Sequence, residues 1–524
     1  MLIQSLFRHI HTVHRSRQFI YSTAVRVQYS RTMSSNTTSS THPFTESSIA
    51  ESFLHFINSS PTQFHAVESV VNKLHQHNYI HISERTDDWS TILQPGKSYY
   101  YTRNQSTLVA FTLGKHYKYN TCTPFVITAA HTDSPVLKVK PISKLIKSGY
   151  HSIGVECYGG GLWHTWLDRD LSIAGRVIIK QNNKYISKLV DLVKPIIRIP
   201  NLAIHLSQGG ASQTDGLKLN KQTHLQPIIT TAIKQQLNEK KKPSDDKSGA
   251  SNNKSIGTQS QLLHEQHHNI LLELIADKLQ VEIDCIRDFE LCLYDTQPAQ
   301  LGGAYNEFIL SRGLDNLMST FITINSLVDL DTPDDNSVHM AVLFDNEEIG
   351  SESTNGAAST LLLNTLTRIS GVNTISSSLA SSYLISCDMA HAVHPNYAEQ
   401  HDENHRPVLH GGLVIKTNVN QRYATNMITE FALIELADKH NIPIQRFSMR
   451  NDFGCGSTVG PILSANTGIR TVDVGVAQLS MHSIREMCGT SDVYTTYQLM
   501  KHIFNEFISI DQNMVVSDEY KTKQ

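Results

Sequence analysis

The sequence predicts a mixed α/β fold, in which helices cover both faces of one sheet and a β-rich domain is inserted. Strand-like apolar runs alternate with helix-like segments, and this alternation is typical of a sheet that is packed between helices. The runs Pro124–Ala130 and Met340–Phe344 are almost entirely apolar, as in strands that are buried on both faces. Residues 136–301, which lie between the two runs, also contain strand-like segments. This stretch is the predicted insertion.

The chain divides into three predicted regions. Residues 44–135 and 302–524 form the α/β domain, and residues 136–301 form the inserted domain, in which a polar stretch at about 238–260 predicts a disordered surface loop. Residues 1–43 are rich in arginine, serine and threonine and contain no acidic residue, which is typical of a mitochondrial presequence. The alternatives are a disordered leader, or translation from Met33 that leaves a cytosolic protein. The expected location is therefore cytoplasmic or mitochondrial.

Two adjacent carboxylates follow the second apolar run. Glu347 and Glu348 lie in the segment Asp345–Ser351, beyond the carboxyl end of the predicted strand, where open α/β sheets place their chemistry. Consecutive side chains point in different directions. One glutamate can therefore bind a metal ion while its neighbour transfers a proton.

Further residues of the types that bind metal ions lie next to other apolar or helix-like segments. His131 and Asp133 follow the first run, and in extended backbone they share a face. His131 is a candidate ligand, and Asp133 is the carboxylate that would fix its tautomer. Asp315 precedes a helix-like segment, and Asp388 and His482 each follow a strand-like one. Alone, Asp315 would be a helix cap and His482 a structural histidine.

Together these residues form the ligand set of two zinc-type ions that share a carboxylate. The candidate ligands are His131, Asp315, Glu348, Asp388 and His482. In hydrolases of this kind the two ions lie about 3.5–4 Å apart and hold the attacking and the leaving oxygen. Glu347 would be the general base that takes a proton from the metal-activated water and returns it to the leaving amine. Carboxylate-rich sites also accept Mn²⁺ or Co²⁺, which are the expected substitutes for zinc.

These residues resemble the aspartyl aminopeptidases, a family of cocatalytic zinc metallopeptidases, and the resemblance extends from about Phe44 to about Phe507. The motifs that carry it are Ala130–Pro135, Gly302–Tyr305, Asp345–Ser353, His391–Tyr397 and Met481–Glu486. The resemblance implies that the α/β domain is catalytic and that the insertion is a dimerisation domain. It also implies a homo-oligomer, a dodecamer whose enclosed active sites admit short peptides with a free N-terminus.

The resemblance implies a ligand arrangement as well. One zinc ion would be held by His131, Asp315 and Asp388. The other would be held by Asp315, Glu348 and His482, so that Asp315 bridges the pair.

The family prefers peptides with an acidic N-terminal residue, which requires a cation in the first specificity pocket. Lys416 matches the family's substrate-binding lysine, and His391 and Tyr423 match pocket residues. His205 matches a histidine that the family contributes across a subunit interface. Without the resemblance, Lys416 would be interpreted as a charge on an edge strand. The alternative within the family is a leucine-preferring, vacuolar-type aminopeptidase with the same metals and a different pocket.

Composition argues against several other functions. The net charge of -3, without a clustered basic face, argues against a nucleic-acid partner. No apolar run approaches the roughly 20 residues of a membrane-spanning helix. The seven cysteines include no Cys-x-x-Cys pair, so neither a disulfide framework nor a thiolate zinc site is indicated.

A second metalloprotease pattern occurs in the insertion. His264, Glu265 and His268 match the His-Glu-x-x-His signature of single-zinc enzymes. The match borders the low-complexity stretch, lacks a convincing third ligand, and arises easily in a chain with 27 histidines. We expect a solvated helix face there instead. A non-catalytic scaffold is also disfavoured, because no ligand or base is missing.

Overall fold

The computed structural model describes residues 44–206, 218–239 and 259–514. The predicted leader and most of the predicted low-complexity loop lie outside the described residues, so the expected compartment stays a prediction. Among the helices in these ranges, none is both long and apolar enough to cross a membrane.

The strands of the described residues form three sheets. In chain order they are β1 (Ile80–His81), β2 (Ser98–Arg103), β3 (Thr107–Leu113), β4 (Phe125–His131), β5 (Val136–Lys147), β6 (Tyr150–Tyr158), β7 (Leu171–Gln181), β8 (Lys184–Asp191), β9 (Ile228–Thr231), β10 (Ile286–Asp295), β11 (Gln300–Gly302), β12 (Phe308–Ser311), β13 (Val338–Phe344), β14 (Tyr383–Cys387), β15 (Ala390–His391), β16 (Leu413–Thr417), β17 (Ile444–Ser448), β18 (Arg470–Gly475), β19 (Ala477–Leu479) and β20 (Glu486–Gly489).

Helices connect and cover these sheets. They are α1 (Glu46–Asn58), α2 (Gln63–Gln76), α3 (Trp89–Ile92), α4 (Ala232–Glu239), α5 (Gln259–Gln266), α6 (Asn269–Leu279), α7 (Leu314–Val328), α8 (Leu361–Ser370), α9 (Ile375–Ala380), α10 (Met427–Lys439), α11 (Val459–Thr467) and α12 (Thr490–Asn513). Side-chain caps set some of their starts: Thr45 and Asn426 form capping boxes at the first residues of α1 and α10.

A nine-stranded mixed sheet forms the centre, in the order β1-β2-β3-β13-β4-β14-β18-β16-β17. The neighbours β13, β4, β14 and β18 are parallel. β3 runs antiparallel to β2 and β13, and β16 runs antiparallel to β18 but parallel to β17. Every residue of β4 and β13 is buried, as the two apolar runs predict.

Two hydrophobic cores flank this sheet, because successive residues of a strand point to opposite faces. Val126 and Ala130 pack into the core that contains α1, α7, α10 and α12. Phe125, Ile127 and Ala129 pack into the core that contains α8 and α11. The predicted fold class, a mixed α/β sheet with helices on both faces, is confirmed.

A second sheet of six strands, β8-β7-β10-β5-β6-β9, is built entirely from residues within 136–301. Leu271 and Ile275 of α6 pack with Ile173 and Val177 of β7 in a third core. The predicted domain limits and the dimerising role of this region stay predictions.

The His-Glu-x-x-His match does not form a zinc-binding helix face. His264 lies in α5, but His268 is the residue before α6 and is 1% exposed. Its Nε2 lies 3.0 Å and 3.1 Å from the carbonyl oxygens of Leu145 and Ser152. The expectation of a solvated helix face is wrong for His267 and His268, because both fill the contact between this helix pair and the second sheet.

Candidate active site

Three neighbouring strands deliver predicted site residues to one edge of the central sheet. His131 is the last residue of β4, and it pairs with Phe344, the last residue of β13. Glu347 and Glu348 lie in the one-turn 3₁₀ helix that follows β13, and Asp388 directly follows β14. Because the three strands are parallel, their carboxyl ends meet at this edge.

A small third sheet, β11-β12-β20-β19-β15, brings the other two predicted ligands. Asp315 follows β12 at the start of α7, and His482 lies in the turn between β19 and β20. β20 pairs antiparallel with both β12 and β19. The segment after β12, which carries Asp315, therefore lies next to the turn before β20, which carries His482.

One group of predicted ligands surrounds His131, which is 1% exposed. Its Nε2 atom lies 3.3 Å from Oδ1 of Asp315 and 3.5 Å from Oδ1 of Asp388. The same nitrogen lies 3.8 Å from Oε2 of Glu347. These side chains therefore face a common point.

A second group surrounds His482. Its Nε2 atom lies 3.4 Å from Oδ2 of Asp315 and 3.4 Å from Oε2 of Glu348. The two oxygens of Asp315 thus face different histidines, and the two groups share this carboxylate.

Asp133 lies behind the first group and organises it. Its carboxylate accepts hydrogen bonds from the backbone amides of Glu347 and Glu348, at 3.2 Å and 3.1 Å, and from the hydroxyl of Tyr158 at 2.7 Å. Nδ1 of His131 lies 3.4 Å from its Oδ1 and 3.0 Å from its backbone carbonyl oxygen. Asp133 therefore fixes both the ring of His131 and the turn that carries the glutamates.

Burial and mutual charge shift the protonation of this cluster. Burial raises the pKa of Glu347 to about 8 and that of Glu348 well above its usual value. Burial opposes the charged form of both histidines, but the surrounding carboxylates still raise the pKa of His482 to about 10 and that of His131 well above normal. The cluster therefore retains protons that a cation could replace.

The donor set fits a divalent metal. Oδ1 of Asp315 and Oε1 of Glu348 are buried and accept no hydrogen bond from the described residues, which is costly for a carboxylate unless a cation is its partner. Ligand atoms of His131, Asp315 and Glu348 all lie within 4.8 Å of one another. Imidazole nitrogens with carboxylate oxygens are typical zinc ligands.

A cavity of about 390 Å³ opens beside these groups. The predicted pocket residues His391, Lys416 and Tyr423 line it together with Glu347 and Asp388. Nζ of Lys416 lies 3.4 Å from Oδ2 of Asp388 and 5.1 Å from the ring centre of Tyr423. Burial, reinforced by Lys416, lowers the pKa of His391 to about 4, so this imidazole is neutral near pH 7.

His205 is the one predicted site residue that lies apart from the rest. It is exposed in a short 3₁₀ helix, Ile204–Leu206, and does not line the cavity. Its predicted contribution to a neighbouring subunit's site stays a prediction.

Glu486 and Gly160 belong to the site but were not predicted from the sequence as site residues. Glu486 is 2% exposed and accepts hydrogen bonds from the backbone amides of Asp315 (3.1 Å) and His482 (2.8 Å). The carbonyl oxygen of Gly160 lies 3.2 Å from Nδ1 of His482. The available signal was the position of Glu486 at the end of the Met481–Glu486 motif.

This fold and this donor set define a metal-dependent hydrolase. The aminopeptidase I zinc metalloprotease family (M18) matches residues 56–504. The chain belongs to this family, and it is therefore an aminopeptidase of the zinc metalloprotease class.

Relatives and solved structures agree with this assignment. A probable aspartyl aminopeptidase from Ricinus communis is 47% identical over 90% of this chain and 97% of its own length. The aspartyl aminopeptidase of Dictyostelium discoideum is 44% identical over 88% and 97%, respectively. A structure of the Ape4 and Nbr1 complex superposes with a TM-score of 0.82 at 38% identity, covering 91% of this chain and 89% of that one. The S. cerevisiae mApe1 dodecamer gives a TM-score of 0.74 at 29% identity, covering 89% and 98%.

Proposed function

We propose that the chain is an aspartyl aminopeptidase, which removes N-terminal Asp or Glu residues from peptides by using two zinc ions and Glu347 as general base. The observation that carries the proposal is that both groups of predicted ligands border one cavity, which Lys416 also lines. The names of the Ricinus and Dictyostelium relatives support the same class of substrate.

Two ligand sets that share Asp315 would hold the ions. His131 and Asp388 would complete one set, and Glu348 and His482 the other. The separate histidine contacts of the two Asp315 oxygens support a bridging role. When bound, such ions polarise the scissile carbonyl and lower the pKa of water.

Glu347 is placed to transfer the proton. Its carboxylate lines the cavity, and its backbone amide is held by Asp133. A carboxylate oxygen of Glu347 takes the proton of the attacking water and delivers it to the leaving amine. Asp133 does not line the cavity. It contributes by orienting His131 and the turn that carries Glu347.

Lys416 supplies the charge that selects acidic substrates. Its side chain is 2% exposed, and Oδ2 of Asp388 at 3.4 Å and the carbonyl oxygen of Met389 at 3.2 Å hold its Nζ at the wall of the cavity. A substrate carboxylate can pair with this ammonium group, whereas a leucine side chain cannot. Tyr423 lies against the ammonium group and neutral His391 adds a further polar contact in the same cavity. The pocket therefore favours the aspartyl over the leucine-preferring alternative.

The proposal includes a homo-oligomer, with the dodecamer as the expected form. Part of the surface of the described residues is apolar and exposed near His205, at Leu202, Ile204 and Leu206. Such a patch is typical of a subunit interface. The mApe1 dodecamer among the similar structures supports the same assembly. Light scattering of the purified protein measures the number of subunits directly, and a monomer would contradict this part of the proposal.

Hydrolysis of matched dipeptides tests the proposed activity. We expect release of N-terminal Asp and Glu from Asp-Ala and Glu-Ala, faster than release of Leu from Leu-Ala, with complete loss after treatment with a chelator and recovery on addition of Zn²⁺. A preference for Leu-Ala would favour the vacuolar-type alternative. No hydrolysis of any substrate by the zinc-loaded protein would favour the scaffold.

A further inference from the structure

Three side chains with metal-binding groups meet where α10 ends beside α12. His440 is the residue that follows α10, and His502 and Glu506 lie one turn apart on α12. None of the three lines the active-site cavity. They are 24%, 31% and 23% exposed, respectively, so solvent ions can reach them.

The two imidazole rings converge on one carboxylate oxygen. Nε2 of His440 lies 2.7 Å, and Nδ1 of His502 lies 3.0 Å, from Oε1 of Glu506. A carboxylate oxygen only accepts hydrogen bonds, so both nitrogens must carry a proton in this arrangement. The rings stack with centroids 3.4 Å apart and an angle of 14° between their planes. Two protons thus lie between three side chains whose types are common metal ligands.

We propose that His440, His502 and Glu506 form a binding site for a divalent transition metal ion, with Zn²⁺ as the favoured ion, that joins α10 to α12. Two histidines and one glutamate are the protein ligands of several zinc enzymes, and water fills the open position. The ion takes the place of the protons on these two nitrogens, and each neutral imidazole then carries its proton on its other ring nitrogen.

The spacing of the ligand atoms supports this site. All three ligand atoms lie within 4.8 Å of one another, as do those of His131, Asp315 and Glu348 in the active site. Ligands about 2.0–2.1 Å from a tetrahedral ion are roughly 3.4 Å apart. The oxygen of Glu506 must therefore move away from the two nitrogens by several tenths of an ångström, and the stacked rings must tilt so that each nitrogen faces the ion in the plane of its ring. Partly exposed side chains allow both movements.

Lys439 competes with a metal ion at this site. Its Nζ lies 2.6 Å from Oε2 of Glu506, and its side chain is 63% exposed. Lys501, next to His502, adds a second nearby positive charge. Both charges repel a cation, so loss of Lys439 should tighten metal binding. A cluster that serves only as an ion pair would instead be weakened by the same change.

Equilibrium dialysis of the full-length protein against buffered Zn²⁺ tests the site, with bound zinc counted by mass spectrometry. We expect His502→Ala and Glu506→Gln to bind one zinc ion fewer per chain than the wild type, while their peptidase activity stays within about twofold. His55→Ala, which removes an exposed histidine of α1, is the matched control and should keep the wild-type zinc content. Retained activity shows that a variant is folded.

Further variants and measurements separate a metal site from a polar cluster. Lys439→Ala should lower the Zn²⁺ dissociation constant at this site by about threefold or more. Zn²⁺ added beyond saturation of the active site should raise the Tm of the wild type but not of His502→Ala. Equal zinc content in the wild type and both ligand variants, or unchanged affinity in Lys439→Ala, would overturn the proposal. Active-site zinc is unaffected in either case, so failure of this site leaves the proposed peptidase activity intact.

Discussion

Replacement of Lys416 by methionine tests how the active-site cavity selects its substrate. The ammonium group lies 3.4 Å from Oδ2 of Asp388, beside the ring of Tyr423. Methionine retains most of the length and apolar volume of lysine but removes the charge, so the walls of the cavity should keep their shape. The side-chain carboxylate of an acidic substrate then enters a cavity in which the ammonium group of Lys416 is missing.

The size of the effect follows from the lost interaction. A hydrogen bond to a charged group contributes about 1.5–3 kcal/mol, and each 1.4 kcal/mol corresponds to about a factor of ten. The ratio of kcat/KM for Asp-Ala to kcat/KM for Leu-Ala should therefore fall by about 10- to 150-fold in Lys416→Met. Most of the change should come from the acidic substrate, because leucine has no carboxylate to pair.

Steady-state kinetics with both dipeptides provides the assay. Loss of a buried ion-pair partner also costs stability, by about 3–5 kcal/mol where pairing is complete, so each variant must first be shown to be folded and to bind zinc. The ratio of the two rates cancels any common loss of active enzyme. Lys416→Arg, which keeps the positive charge, should retain the preference for Asp. An equal fall on Asp-Ala and Leu-Ala in Lys416→Met would refute the assignment of Lys416 to substrate selection.

Three further changes test other parts of the account. Glu347→Gln should lower kcat by about 10²- to 10⁴-fold while the zinc content stays unchanged; a loss of zinc would show that Glu347 is a ligand. Glu486→Ala removes the acceptor of the backbone amides of Asp315 and His482, two predicted ligands. It should weaken zinc binding by about 10- to 100-fold, as measured by chelator competition, whereas unchanged affinity would contradict its positioning role. Burial lowers the pKa of His339 to about 4, so the unfolded chain binds a proton that the folded protein does not. Stability should fall as the pH drops from about 6.5 towards 4, by at most about 3 kcal/mol from this group, and urea unfolding of His339→Leu should lack this part of the slope.

The central sheet and the grouping of the predicted ligands follow from local sequence signals. Strands buried on both faces require long apolar runs, and such runs end at His131 and just before Glu347 and Glu348. Parallel pairing then brings their carboxyl ends together without further information. Asp388 was predictable for the same reason, because it follows the buried strand β14.

Other features depend on contacts between distant segments, which no local pattern specifies. Tyr158 reaches Asp133 from the second sheet, and Glu486 accepts a hydrogen bond from the backbone amide of Asp315 from the start of β20. The burial of His267 and His268 was missed for a related reason. Polar residues next to a low-complexity stretch are expected to be exposed to solvent. The packing of α5 and α6 on the second sheet buries the two histidines instead.

Anomalous X-ray diffraction at the zinc absorption edge, from crystals of the zinc-loaded enzyme, tests the central claim most directly. The account predicts two peaks in the active-site cavity, about 3.5–4 Å apart. One should lie beside His131 and Asp388, the other beside Glu348 and His482, with Asp315 between them. A single peak in the cavity, or two peaks without Asp315 as a shared ligand, would contradict the proposed two-zinc site.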